Sequence, residues 1–280
     1  MRKSDILEIS RNYGLHPNKK LGQNFLYSDA VVDRIFGVAG IGADDSVLEI
    51  GPGLGAMTEK IVGIGASLTA VEIDAGIVRY LNDRFEGSGN FTLVHGDFLK
   101  THIPGAFTKS VSNLPYYCAS EILFKLAVDY AIPRVCVMLQ REMAERIVSP
   151  PGEKNYGALT VALGSYYTPA IEFNVSKNCF HPQPDIVSSV VTLQARNDVH
   201  LSPAERRMFH AVVKNAFWGR RKMLITALAE APGSSLDKKV IASILREMNL
   251  DAKIRGEDLS VGEFILLARR LNEMTDGENS

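Results

Sequence analysis

Apolar residues follow two rhythms along this chain. From residue 46 to about residue 193, short β-rich runs alternate with stretches whose apolar positions recur every three or four residues. The strand-like runs are 46–50, 68–72, 91–94, a short run through Val111 into Asn113, 134–139, and two later ones near 169–175 and 187–193. Helical spacing separates the earlier ones, carried by Met57, Ile61 and Ile64, then Ile77, Val78 and Leu81, then Ile122, Leu123 and Leu126. The 134–139 run is continuously apolar, as in a strand covered on both faces. Upstream, residues 4–13 read as a helix with Asp5 and Glu8 at capping-box spacing. Residues 17–26 read as a loop, and Ser28 as the cap of a helix whose inner face is Val31, Val32, Ile35 and Val38. Beyond residue 200 only the helical rhythm persists. Pro203 opens one helix through Phe209, Val212 and Val213, and others fit 224–228, 240–245 and 261–271. The expectation is an α/β fold with a Rossmann-like, mostly parallel sheet and an antiparallel end, followed by a small all-α C-terminal domain. The boundaries read as 1–200, with residues 1–27 as an N-terminal arm, and 201–280.

Composition narrows the class. The chain has 280 residues, 46% of them hydrophobic, which is ample for a full core. Its formal net charge of −1 means that any nucleic-acid binding must rest on local basic patches. Cys118, Cys136 and Cys179 lie far apart without a paired spacing, so neither a disulfide framework nor a metal site is expected. No run approaches the roughly 18 apolar residues of a membrane span. The N-terminus lacks the apolar core of a secretory leader. A cytoplasmic protein without a membrane partner is the expectation.

Candidate chemistry begins after the first sheet strand. Gly51-Pro52-Gly53-Leu54-Gly55 permits a tight turn and close approach of the backbone to a ligand, and the helix that follows offers unpaired N–H groups. Glu72 ends the next strand, where a carboxylate can accept hydrogen bonds from both hydroxyls of a ribose. Asp97 follows the third strand and could receive an adenine amino group. A dinucleotide-binding fold has a similar loop and a similarly spaced acid, so this half alone leaves an oxidoreductase and an adenosyl-cofactor enzyme equally open.

Asn113-Leu114-Pro115-Tyr116 decides between them. An adenine N6 amine is a poor nucleophile because its lone pair is delocalised into the ring. The Asn113 side-chain oxygen and the Leu114 carbonyl can hold its two hydrogens. Pro115 stiffens the corner, and Tyr116 offers a ring for the base to stack on. Phe180, in a proline-rich loop, is a second aromatic for the opposite face of a flipped adenine. Such a transfer runs on positioning and electrostatics, without a strong general base. Together the two halves point to methyl transfer from S-adenosylmethionine to an adenine amine. Phosphate contacts are expected from Lys19, Lys20, Arg141, Arg146, Arg220, Arg221 and Lys222.

These motifs, in this order, closely resemble the small-subunit rRNA adenine dimethyltransferase family, the kasugamycin-sensitivity methylases. The resemblance also covers 22–26, 49–58, 71–74, 138–142, 156–159, 180–184 and 216–222, nearly the whole chain. Tyr117 stands where many members carry Asn, and Asp185-Ile186-Val187 departs from the usual Lys-Val-Asp. The resemblance implies S-adenosylmethionine contacts at Asn24, Leu26, Gly51, Glu72, Asp97 and Asn113, with Gly53 in the same loop. It further implies dimethylation of two adjacent adenosines near the 3′ end of small-subunit rRNA, within an immature small subunit and by a monomer. A large-subunit rRNA methylase of the antibiotic-resistance type and a non-catalytic small-subunit assembly factor are the alternatives.

Overall fold

Strand β2 (Ser46–Ile50) and its neighbours form the frame on which everything else is placed. The computed structural model describes residues 1–15 and 23–277, with side chains to residue 274. Two compact units emerge. The first comprises residues 1–144 and 168–195, the second residues 145–167 and 196–280.

The first unit carries a seven-stranded sheet in the order β4-β3-β2-β5-β6-β9-β7. Its members are β2, β3 (Ser67–Glu72), β4 (Phe91–His95), β5 (Lys109–Asn113), β6 (Arg134–Gln140), β7 (Tyr167–Val175) and β9 (Ser188–Ala195). The five strands from β2 to β6 pair in parallel, and β9 runs antiparallel to β6. Every strand expected from the apolar runs is present. Buried Val135–Leu139 of β6 confirm a strand covered on both faces. Helices α2 (Asp29–Ala39), α3 (Ala56–Gly63), α4 (Ala75–Arg84) and α5 (Ala119–Val128) bury one face each and leave the other in solvent.

Three local expectations change. In α1 (Lys3–Asn12) the helix starts earlier than the spacing suggested. Asp5 lies at its third position and accepts from the Arg2 N–H at 2.7 Å, so the box runs from Arg2 to Asp5 instead of from Asp5 to Glu8. Ser28 occupies the cap position of α2, but its hydroxyl makes no capping hydrogen bond. Within the expected loop 17–26, Phe25–Leu26 form a short strand, β1, paired antiparallel with Phe180–His181, β8. A two-residue strand has too little periodicity to be read before its partner is known.

The second unit is helical. It contains α7 (Ala158–Gly164), α8 (Pro203–Trp218), α9 (Leu224–Glu230), α10 (Lys238–Glu247) and α11 (Val261–Gly277). The Ser202 hydroxyl and Glu205 carboxylate cap α8 reciprocally, with Pro203 at its first position. Residues 145–167, expected within the sheet domain, group here instead. The reason is packing: Tyr156 and Val161 lie in one core with Phe209, Phe264 and Leu259, and the Tyr156 hydroxyl donates to the Leu259 carbonyl at 2.5 Å. Helix α6 (Arg141–Val148) and α7 were not expected as elements.

Candidate active site

The strand order reverses between β2 and β5, since β3 and β4 extend one way from β2 and β5 and β6 the other. In open parallel sheets, ligands collect in the crevice beyond the carboxyl ends of the strands at such a switch point. The glycine corner leaves β2 there, and the Asn113 corner leaves β5 beside it. A methyl group at Gly51 would lie 4.0 Å from the Asn113 carbonyl oxygen.

The glycine corner is built from backbone that other residues avoid. Gly51, Gly53 and Gly55 have φ of +65°, +57° and +81°. The Gly51 N–H donates to the Val71 carbonyl at 2.9 Å, fastening the turn to β3. Glu72 holds the other side. Its Oε1 accepts the N–H groups of Ile73 and Asp74, each at 2.9 Å, and its Oε2 accepts the Gly53 N–H at 3.4 Å. Burial raises the Glu72 pKa, while those three N–H groups pull against it.

Beneath the corner lies Glu49, which is fully buried. Its Oε2 accepts from the Thr58 hydroxyl at 2.7 Å, tying β2 to α3 across the turn, and its Oε1 has no hydrogen-bond partner among the described residues. Burial pushes the Glu49 pKa up to about 8; the Thr58 bond opposes that rise, and the charge of Glu72 adds to it. A neutral carboxyl at pH 7 follows. The signal was available in the sequence, because a glutamate interrupts an otherwise apolar strand.

The Asn113 corner is stiff. Pro115 has φ −65°, the Leu114 N–H donates to the Met138 carbonyl at 3.2 Å, and a 3-10 turn follows over Tyr116–Cys118. The Asn113 Nδ2 donates to the Asn24 carbonyl at 3.2 Å, which leaves Oδ1 as the acceptor end of the amide. Among the described residues, the Leu114 carbonyl accepts no hydrogen bond.

These groups line one cleft, partly open to solvent. Asn24, Leu26, Gly51, Gly53, Glu72, Asn113 and Pro115 are all in its wall. Asp97 is not among the wall residues. Its Oδ1 accepts the Leu99 N–H at 3.0 Å, and Lys100 lies 3.6 Å from its Oδ2. Leu114 is buried, and Tyr116 is half-buried with its hydroxyl 2.8 Å from the Ser189 neighbour Ser188 Oγ. Phe180 departs from expectation. It is only 3% exposed, paired with Leu26 and packed in the core with Val175 and Val190, so its ring presents no open face here. The exposed ring is Tyr117, 61% accessible and part of the cleft wall. Phe25, Ile73 and Ile77 are further wall residues that sequence reasoning missed, because apolar lining has the same pattern as apolar core, and Gln23 joins them.

The basic residues separate in the same way. Lys19 and Lys20 lie outside the described residues. Arg141 and Arg146, on α6, are exposed. Arg220 is committed internally, with Nε donating to Glu257 at 2.8 Å and Nη2 to the Lys154 carbonyl at 2.7 Å. Lys222 lies 3.2 Å from Glu230, and Arg221 is exposed.

Solved structures share this fold. A dimethyladenosine transferase from Plasmodium falciparum superposes with a TM-score of 0.80 at 24% identity, covering 90% of this chain and 98% of its own. The 23S rRNA methyltransferase ErmE gives 0.71 at 23%, covering 89% and 100%. At those identities the likeness speaks for the fold. The cradle of left-handed glycines and the Glu72 carboxylate at the end of β3 fit an adenosyl cofactor, and fold and site together define an S-adenosylmethionine-dependent methyltransferase. A family model, ribosomal RNA adenine dimethylase, matches residues 14–267. The chain is 36% identical to "Ribosomal RNA small subunit methyltransferase A" of Bacillus licheniformis, covering 95% of both chains, and 36% identical to the protein of that name from Lachnoclostridium phytofermentans, covering 95% and 96%. The chain belongs to the ribosomal RNA adenine dimethylase family.

Proposed function

We propose that this protein dimethylates N6 of two adjacent adenosines near the 3′ end of small-subunit rRNA. The observation that carries the reading is the Asn113 amide, held by the Asn24 carbonyl at 3.2 Å and set beside the glycine corner. When bound, S-adenosylmethionine supplies an electrophilic methyl group. The Glu72 carboxylate takes the ribose hydroxyls, and the backbone at Gly51 and Gly53 admits the cofactor at close range. Asp97 would accept the cofactor's adenine amine. Asn113 Oδ1 and the Leu114 carbonyl accept the two hydrogens of the target amine, which localises its lone pair toward the methyl group. Pro115 fixes that carbonyl, and the corner tyrosines supply ring surface for the target base. Arg141, Arg146, Arg221 and Lys222 meet phosphates.

An immature small subunit as substrate, a monomeric enzyme and a cytoplasmic workplace complete the reading. No helix among the described residues is long and apolar enough to cross a membrane. The test is transfer from labelled S-adenosylmethionine to unmethylated small subunits, with naked rRNA and large subunits alongside, followed by nucleoside analysis. Dimethyladenosine from small subunits is the expected product. Label confined to large subunits would replace the substrate, and no label with cofactor still bound would leave an assembly factor.

A further inference from the structure

Helix α8 ends in Phe217-Trp218, followed by Gly219-Arg220-Arg221-Lys222-Met223. Helical phase divides the two aromatics. Phe217 turns inward, its ring in contact with those of Tyr156 and Phe264. Trp218, the chain's single tryptophan, is left 52% exposed, and Met223 is 45% exposed. Large apolar side chains at a surface are worth explaining when they come with a polar rim.

The three cations beside them have different employments. Arg220 is a strut, bound to Glu257 and to the Lys154 carbonyl. Lys222 places its Nζ 4.7 Å from the centre of the Trp218 ring, a cation–π contact. Its acidic neighbour Glu230 is shared with Lys238 at 2.7 Å, so that group of three keeps a positive balance. Arg221 is exposed and has no hydrogen-bond or ion-pair partner among the described residues. An open indole with one cation on its ring and another free beside it suits a ligand that has both a π-face and a negative charge. An unpaired nucleotide has both, and base–aromatic stacking flanked by cations is a general means of holding single strands.

We infer that Trp218, with Arg221 and Lys222, is a stacking site for an unpaired base of the RNA substrate, carried wholly by the helical unit. The inference rests on the RNA-methylating reading and adds to it a second contact, one that reads strandedness. A duplex has its bases already stacked and offers only phosphates.

Because the chain has one tryptophan, its fluorescence reports on this site alone. The full-length protein is titrated with a single-stranded RNA oligonucleotide and with a duplex of equal phosphate number. Quenching by the single strand and little by the duplex is expected. In filter binding to unmethylated small subunits, Trp218→Ala should weaken affinity on the order of tenfold and Trp218→Phe about twofold. Arg221→Ala should lower the salt slope by about one. Thermal unfolding of each variant serves as the folding control. Equal quenching by duplex would reduce the site to phosphate contact and overturn the inference. So would unchanged fluorescence while small subunits are still bound and methylated, which leaves the RNA reading standing. A spectral change that follows protein concentration alone would make the patch a contact between copies of the chain, and would equally overturn it. If the wild-type protein neither binds nor methylates small subunits, the RNA reading itself falls.

Discussion

The two corners that meet at the switch point are built on opposite principles. The glycine corner gains its shape from residues that can adopt left-handed backbone, and it is then fastened from outside by Glu72 and by the Val71 carbonyl. The Asn113 corner gains its shape from a residue that cannot move, Pro115, and from a side-chain amide oriented by the Asn24 carbonyl. One corner offers N–H groups and a carboxylate, which suit a ribose and an extended cofactor. The other offers two carbonyl-type oxygens, which suit an amine. Affinity and turnover should therefore separate cleanly between variants of the two corners.

The largest effect is expected at Glu72. Glu72→Ala removes the proposed ribose acceptor and loosens Gly53, so cofactor affinity by isothermal titration should fall at least about 100-fold, as for two charged hydrogen bonds. A Kd within a few-fold of wild type would take affinity away from the glycine corner. Next comes Asn113→Ala. Single-turnover rate should fall roughly 10²- to 10³-fold with cofactor Kd changed only a few-fold, because the proposed partner of the amide is the reacting amine. Equal losses in both would erase the contrast between the corners.

Glu49 supplies a pH test of the glycine corner. A glutamate ordinarily titrates near 4.5, but here burial first, opposed by Thr58 and aided by Glu72, moves it to about 8. Between those values the unfolded chain releases a proton that the folded chain keeps, so stability falls as pH rises from about 4.5 to 8. Below that window the residue costs nothing, and above it the cost is constant. Glu49→Gln removes this slope. The difference in urea-unfolding free energy between variant and wild type should grow in the variant's favour by a few kcal/mol, on the order of magnitude that linkage gives. Parallel pH profiles would mean that the folded Glu49 is charged.

Smaller effects test the shape of each corner. Gly53→Ala places a side chain at φ +57° with its Cβ 3.2 Å from the Phe25 ring, so about 1–2 kcal/mol of stability should be lost, along with cofactor affinity. Thermal unfolding with and without cofactor measures both. Tyr116→Phe removes the link to Ser188 and should cost about 0.5–1.5 kcal/mol by the same assay, with turnover changed little. A large fall in turnover would give the hydroxyl a part in the reaction.

The sheet was legible because its strands are continuous apolar runs and its helices keep one apolar face. The site was legible where a special residue type was needed, as at Gly51, Glu72 and Asn113. It was illegible where function depends on which apolar ring is covered. Phe180 and Tyr117 look alike as aromatics in motif-rich loops, but the first is carried into the core by the pairing of β1 with β8, while the second stays exposed in the cleft wall on the turn after Pro115. The basic triad 220–222 shows the same limit, since its adjacent cations divide into a strut, a ring partner and a free group. Residues 145–167 were misassigned because the helical rhythm says that a segment is helical and not which core it joins.

The insertion of β9 between β6 and β7 has a consequence for how the protein is made. Strand β6 is finished at residue 140, but its second neighbour begins only at residue 188, after the chain has passed through a segment of the other unit. Throughout that interval of translation the nascent sheet carries a buried-type strand with an open edge, which is the kind of surface that recruits chaperones or mispairs. A ribosome stalled before residue 188 should therefore display a protease-sensitive, chaperone-bound nascent chain, and one stalled once residue 195 has cleared the exit tunnel a closed one.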